Sequence, residues 1–289
     1  MKFLVLGATG MAGHMIAIYL CEQGHHVTTY SRTAFPYGNN IVGDITDRQF
    51  LQALLATTDA DIVVNCIGML NNACEQYPAK SIFLNSYLPH AIAAHLKDRE
   101  TRLIQLSTDC VFSGKAAPYY EQSTRDGETF YDRTKGLGEI DNNKHLTFRN
   151  SIIGPDLQKD GIGLFNWFMQ QHGSINGYTG ALWTGVTTLT LAKAIEQAAK
   201  EGLTGLYHLV HATNISKYDL LQLLNQYFRN NTINILPDPL INVDKTLINT
   251  RHDFSFVVPS YQAMIVEMKD WMLQHKNLYP HYHKRHDIY

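Results

Sequence analysis

Paired cysteines are missing from this chain. Cys21, Cys66, Cys74 and Cys110 lie far apart with no C-x-x-C among them, which excludes a disulfide scaffold and a cysteine zinc site and fits reduced thiols. An excess of charge of one sign is missing too. Lys and Arg number 24 against 26 Asp and Glu over 289 residues, and the one basic run is His283-Lys284-Arg285-His286. No nucleic-acid partner is therefore expected. No uncharged apolar stretch approaches the ~20 residues that span a bilayer. The N-terminus enters a strand without the charged, apolar and cleavage segments of a leader. A soluble, cytoplasmic protein with no membrane partner is the expectation. Metal is not expected either: His25-His26, His281-x-His283 and His286 have donor-like spacing, but no carboxylates recur beside them.

What is present is 45% apolar and 17% charged sequence, enough for a continuous core. Residues 2–6 form a strand pattern that runs into G-A-T-G-M-A-G (Gly7 to Gly13), and Met11–Gln23 follows as a helix pattern stopped at Gly24. Gly7 allows a tight turn, Gly10 lets backbone approach a pyrophosphate, and Gly13 lets the helix pack on its strand, with Thr9 and Met11 beside the anion. His14 is expected on the outer face of that helix.

Strand patterns at 26–30, 41–42, 61–67, 102–106 and 146–149 alternate with helix patterns at 48–55, 81–97 and 131–142. That alternation predicts an α/β fold, a Rossmann-type doubly wound parallel sheet with ligands at the carboxyl ends of its strands. From about residue 150 glycines and aromatics become frequent and the alternation weakens. We expect a dinucleotide-binding domain over 1–150 and, over 151–289, mainly a smaller C-terminal substrate-binding lobe with some segments returning to the sheet. Helix patterns at 188–200 and 218–228 and a strand at 206–210 belong to that part, and His208 and His211 flank the strand. They would face the substrate lobe, though a packed or surface role is preferred for both.

The end of the second strand chooses between the nicotinamide cofactors. A carboxylate there binds the ribose of NAD, whereas an Arg accommodates the 2′-phosphate of NADP. The chain has Thr29-Tyr30-Ser31-Arg32. Ser31 as a donor and Arg32 as a planar cation favour NADPH, with NADH as the alternative. Asp44, followed by Ile45, either bonds the adenine or caps a turn.

The chemistry is expected from L-S-T-D-C-V-F-S-G (106–114) at the end of the fifth strand and Y-D-R-T-K (131–135) opening a helix. Tyr131 and Lys135, four apart, share a helix face. A protonated Lys135 would lower the phenol's pKa and ease proton transfer, while the Thr108 hydroxyl holds the same carbonyl oxygen.

Taken together, G-A-T-G-M-A-G, S-T-D-C-V-F-S-G, P-Y-Y-E (118–121) and Y-D-R-T-K-G-L-G-E (131–139) resemble the extended short-chain dehydrogenase/reductases, within them the dTDP-4-dehydrorhamnose reductase branch. The resemblance spans the first ~150 residues and continues loosely through Gly185–Leu189 and Leu191-Ala192. It implies Thr108, Tyr131 and Lys135 as the catalytic set and Asn85 as support for the active-site strand and lysine. Cys66, Ile67 and Gly68 would line the nicotinamide side, and Val111, Phe112, Asn150 and Trp183 would face the substrate, while Asp109 would either orient a sugar hydroxyl there or cap the loop. It implies a nucleotide-diphosphate sugar as substrate, deoxysugar or surface-polysaccharide biosynthesis as setting, and a homodimer as assembly.

The chain also departs from that branch. Cys110 replaces a usual Tyr, Ser113 an Asp and Asp132 a Gly, and Arg149-Asn150-Ser151-Ile152 lacks the Trp that usually contacts the sugar, so Trp183 either replaces that indole or is core. Related dehydratases resemble a Thr-Asp-Glu triplet; Cys110 follows Thr108-Asp109 here, which disfavours elimination. The reading is hydride transfer to C4 of a 4-keto-6-deoxysugar with Tyr131 as proton donor. A sugar-nucleotide epimerase that retains NAD and a non-catalytic nucleotide-binding regulatory subunit are the alternatives.

Overall fold

The computed structural model describes residues 1–283, so most of the basic histidine run lies outside the described residues. Twelve strands follow one another there: β1 (Lys2–Leu6), β2 (His26–Ser31), β3 (Asn39–Val42), β4 (Ile62–Asn65), β5 (Arg102–Ser107), β6 (Leu146–Arg149), β7 (Ser151–Ile153), β8 (Ser174–Trp183), β9 (Gly185–Thr187), β10 (Gly205–His208), β11 (Ile215–Ser216) and β12 (Asn234–Asp244). Seven make one wholly parallel sheet in the order β3-β2-β1-β4-β5-β6-β10. The direction of travel reverses at β1, whose carboxyl end faces the crevice where such sheets take their ligand.

Strand alternation divides the sheet's side chains between two layers. Phe3, Val5, Ile62, Val64 and Ile104 point to one face, against helices Met11–Glu22, Thr188–Glu201 and Tyr261–Gln274. Leu4, Leu6, Val63 and Leu103 point to the other, against Leu51, Leu54 and Leu55 of helix Arg48–Thr57 and Leu88 and Ile92 of helix Leu88–His95. The doubly wound sheet expected from the alternation is what forms. The chain after residue 150 is interwoven with it: β10 pairs with β6, and the helix at 188–201 lies against the helix at 11–22. Separately, β11, β8 and β12 form a small sheet, with β8 central.

Two helical expectations change. The pattern at 81–97 is one element by periodicity, yet Ile82–Tyr87 is a π-helical turn between Pro78–Ser81 and Leu88–His95. Pro89 has no N–H to return to the carbonyl of Asn85, four residues earlier, and the helix widens there. The helix expected to reach 142 stops at Leu137. Gly138 ends it by close approach: a Cβ there would stand 1.8 Å from the Asn85 carbonyl oxygen.

His14 is fully buried rather than on an outer face. The C-terminal segment covers that side of the first helix, a contact across 265 positions that helix periodicity cannot reveal. Nδ1–H donates to the Gly10 carbonyl (2.9 Å), and Nε2 accepts from the Tyr279 hydroxyl (2.8 Å). Burial pushes the imidazole pKa down to about 4. His208 is also packed in the interior and pushed to about 4, by burial and then by Arg149. His25, expected on a solvated loop, bonds Glu196 at 2.9 Å in a half-buried pair.

A histidine held neutral in the fold stabilises it fully above its unfolded pKa near 6.5, and that stability is lost as pH falls from 6.5 to about 4. Each such shift is worth roughly 3 kcal/mol. We therefore expect His14→Gln to be about 1–2 kcal/mol less stable than the parent at pH 7.5. Its unfolding free energy, measured in urea, should fall less steeply between pH 6.5 and 4.5. Parallel pH profiles would remove His14 as a source of acid sensitivity.

Candidate active site

The glycine turn after β1 has the shape that a dinucleotide phosphate needs. Gly7 has φ +84°, and a Cβ on Gly13 would stand 2.1 Å from the Gly7 carbonyl oxygen, so helix and strand meet through bare backbone. Gly10, the N-cap residue, is exposed and has no side-chain cap, which leaves the first amides of helix Met11–Glu22 free for an anion. The residues present thus fit a dinucleotide. Thr9 and Met11 are half-buried at the turn, and the Met11 thioether lies against Gly163.

At the ribose end one expected donor, Ser31, and one expected acceptor, Asp44, are already engaged. Ser31 is buried: its hydroxyl donates to the Thr33 carbonyl (2.7 Å) and accepts from Asn40 (3.0 Å). It has no proton left for a 2′-phosphate, a correction that leaves Arg32, which is exposed, as the one cation of that pair. Of the two readings of Asp44, the turn cap is the one seen, with Oδ1 accepting from the Thr46 amide (2.9 Å) and hydroxyl (2.7 Å). Ile45 is core against the sheet rather than cradle.

The loop after β4 lies over the glycines, with Ile67 and Cys66 closest to Gly7. Gly68 sits beside the Asn85 amide and the Lys135 ammonium. Asn85, on the π-turn, fastens this loop: Oδ1 accepts from the Met69 amide (2.8 Å), while Nδ2 donates to the Met69 carbonyl (3.1 Å) and the Thr134 hydroxyl (3.1 Å). It joins the cradle's far wall to the helix that carries Tyr131 and Lys135.

That helix, Phe130–Leu137, opens with a capping box in which Thr129 and Asp132 exchange side-chain and backbone bonds. The departure from Gly at position 132 thus has a structural reason. Lys135 is buried, its Nζ donating to the Leu106 carbonyl at 2.6 Å. Burial brings its pKa down to about 8, against the opposing pull of Glu139. Thr108 caps the short turn Asp109–Val111: its hydroxyl accepts from the Cys110 amide (3.1 Å) and donates to Asp109 Oδ1 (3.1 Å).

The Tyr131 phenol meets the Thr108 hydroxyl, so segments 23 positions apart in sequence converge on one point. Its pKa is raised, chiefly by burial and then by Cys110. This is the opposite of the lowering expected from Lys135: desolvation of the phenolate dominates, and Asp109 and Asp132 raise it further. Cys110 and Cys66 are both thiols pushed up to about 12 by burial, and inert.

Behind the strand end is a network that the sequence reading did not single out. Glu139, one helical turn past Lys135, is buried. It accepts from Ser107 (2.6 Å), from Arg149 (2.8 and 2.6 Å) and from Arg125 (2.9 Å). Burial raises its carboxyl, and Arg149, Ser107 and Arg125 more than reverse this, leaving it below its usual value. The legible signal was the i+4 spacing of Tyr131, Lys135 and Glu139. Arg149 is fully buried and also donates to His208 Nε2 (2.9 Å).

Two expected substrate contacts are packing residues instead. Val111 and Phe112 are buried with Tyr119, Val210 and Leu247, and Phe112 stacks on Tyr119 at 4.1 Å. The short turn at 109–111 rotates them inward. Asp109 is buried, which raises its carboxyl pKa against the opposing pull of Lys245 and Lys217. Asn150 and Trp183 are buried, and Asn150 Nδ2 and Trp183 Nε1 lack hydrogen-bond partners among the described residues. Among the described residues no group of three or more His, Cys, Asp or Glu is arranged to hold a metal, and no helix is long and apolar enough to cross a membrane.

The RmlD substrate binding domain family matches residues 1–242. The chain belongs to that family. It is 34% identical over 143 residues to a probable low-salt glycan biosynthesis reductase of Haloferax volcanii, covering 48% of each chain. It is 25% identical over 240 residues to a dTDP-4-keto-6-deoxy-D-glucose reductase of Streptomyces niveus, covering 77% of each. The match thus spans about half the length of the first relative and about three quarters of the second. In fold it is similar to the dTDP-4-dehydrorhamnose reductase of Bacillus anthracis solved with NADP: TM-score 0.78 and 17% identity, over 92% of this chain and 98% of that one. These findings bear out the resemblance read from the four motifs.

Within this family member, Glu139 is expected to hold the active-site strand and helix together. Glu139→Gln leaves Arg149 buried without a full counter-charge, a change worth about 3 kcal/mol of stability. A melting temperature within 1–2 °C of the parent's, on the scale of about 2–4 °C per kcal/mol, would show that the pair is dispensable.

Proposed function

We propose that this protein is an NADPH-dependent reductase of a nucleotide-activated 4-keto-6-deoxysugar, acting in glycan biosynthesis. The observation that carries this reading is the convergence of Tyr131 on Thr108 at the carboxyl end of β5, with Lys135 held on the same strand end beside the loop that covers the glycine cradle. When bound, the reduced nicotinamide supplies the hydride that C4 of the sugar receives. Tyr131, kept protonated by its surroundings, gives its proton to the oxygen left at C4. Thr108 holds that oxygen, and to do so its hydroxyl must release Asp109. The Lys135 ammonium supports the phenolate that remains.

The family and the reductase names of the relatives support the reaction type, and NADP in the Bacillus anthracis structure supports the cofactor. Arg32, the cation left exposed at the end of β2, supports NADPH over NADH. A homodimer is supported by apolar side chains left exposed, Tyr77 at 60% between helices Asn72–Gln76 and Pro78–Ser81 and Leu137 at 67% at the end of helix Phe130–Leu137.

The experiment is single-turnover oxidation of NADPH with a panel of nucleotide-linked 4-keto-6-deoxysugars. Tyr131→Phe should lower kcat by about 10²–10⁴-fold while NADPH still binds with its parental Kd; unchanged turnover removes Tyr131 from the reaction. Because the charged form of Lys135 is lost as pH rises through about 8, kcat/KM should fall on the alkaline side of that value, and a profile flat to pH 9.5 would contradict its role. Arg32→Ala should weaken NADPH about tenfold or more and leave NADH little changed; equal losses for both would reassign cofactor preference.

A further inference from the structure

β11 and β12 both stop beside the last residues of β8. Ile215 pairs with Trp183, Ser216 with Leu182, and Asp244 with Leu182. The next residues along β11 and β12 are Lys217 and Lys245. Lys217 stands with its ammonium 5.1 Å from the centre of the Trp183 ring, and Lys245 lays its stem against Gly114, just past the turn that carries Asp109. Both cations act on Asp109, and Lys217 acts also on Cys110, the neighbour of Tyr131. Among the described residues neither ammonium has a hydrogen bond. The ends of β11 and β12 therefore bring two cations, without hydrogen bonds among the described residues, close to the buried Asp109 carboxylate.

Lys217 is also badly placed for the fold. It is the first residue of helix Lys217–Phe228, whose N-cap Ser216 accepts from the Asp219 amide (3.0 Å). A cation there opposes the positive end of the helix dipole, and the residue is half-buried as well. Burying an ammonium without an acceptor is unfavourable unless something else meets it. Asp109 offsets only one of two charges, so the excess suits a dianion larger than a carboxylate. A diphosphate presents several oxygens to donors spread over both strand ends, and Lys binds phosphate as a point charge.

We propose that Lys217, seated on Trp183, and Lys245 grip the diphosphate of the sugar nucleotide, so that the end of the small sheet sets the position of the sugar relative to Tyr131 and Thr108. In this arrangement Trp183 acts as a platform for the cation and does not replace a sugar-stacking indole. The inference rests on the sugar-nucleotide reading of the site.

Calorimetric titration of the NADP⁺-saturated protein with dTDP and with UDP tests it. The parent should bind at least one of the two. Lys217→Met should weaken that binding tenfold or more, and Lys245→Met should weaken it in the same direction. Lys217→Arg should recover most of it, and affinity for NADP⁺ should not change. The melting temperature of Lys217→Met should equal or exceed the parent's, which a structural role for Lys217 would not allow. Parental diphosphate affinity in Lys217→Met overturns the inference, as does a parent that binds neither diphosphate. A fall in melting temperature with joint loss of NADP⁺ would instead assign Lys217 to the fold and overturn its part. Failure of the reductase reading is distinct: it appears as no NADPH binding, or no turnover of any ketosugar, in the unaltered protein.

Discussion

Glu139 sits where three pieces of chain have to meet. Its carboxylate takes hydrogen bonds from Ser107 at the end of β5, from Arg149 at the end of β6 and from Arg125 in the connecting loop. It belongs to the segment that closes the helix of Tyr131 and Lys135. The pair with Arg149 is almost wholly desolvated, with side-chain exposures of 0% and 2%, so neither group can leave without stranding the other. The residue beside Ser107 is Thr108, and the residue one turn before Glu139 is Lys135. The register of Thr108, Tyr131 and Lys135 is thus set by a buried ion pair that touches none of them.

Asn85 does the equivalent work on the cofactor side. The π-turn places its amide so that one side chain ties the Met69 backbone, in both directions, to Thr134. Glu139 below and Asn85 above give the Phe130–Leu137 helix two fixed references, one to the sheet and one to the loop over the glycines. Lys135 is then left to the Leu106 carbonyl, and Tyr131 to Thr108. Such an arrangement costs stability at Tyr131, Lys135 and Asp109, where a phenol, an ammonium and a carboxyl are all desolvated, and offsets it with fully bonded groups behind them.

The glycine cradle depends on distant contacts as well. His14 joins the Gly10 carbonyl to Tyr279, so the last described helical segments brace the first turn of the chain. The β8–β12 pair is held at both ends, by buried Ile235 at its start and buried Trp183 at its close, and β12 is mostly exposed between Leu236 and Val243.

Local spacing was enough to determine the parallel sheet, the glycine turn and the Tyr131–Lys135 face, because each depends on residues within one strand or one turn of helix. The same spacing could have marked Glu139, since i+4 positions share a face whatever lies opposite. Whether a polar group is free or already engaged could not be read that way. Ser31 is spent on Thr33 and Asn40, Phe112 turns inward onto Tyr119, His14 is sealed by Tyr279, and the Tyr131 phenol is raised rather than lowered. Each of these outcomes is decided by desolvation and by partners far away in the chain. A sequence states which groups can ionise or donate, and only packing states what dielectric and which acceptors they meet.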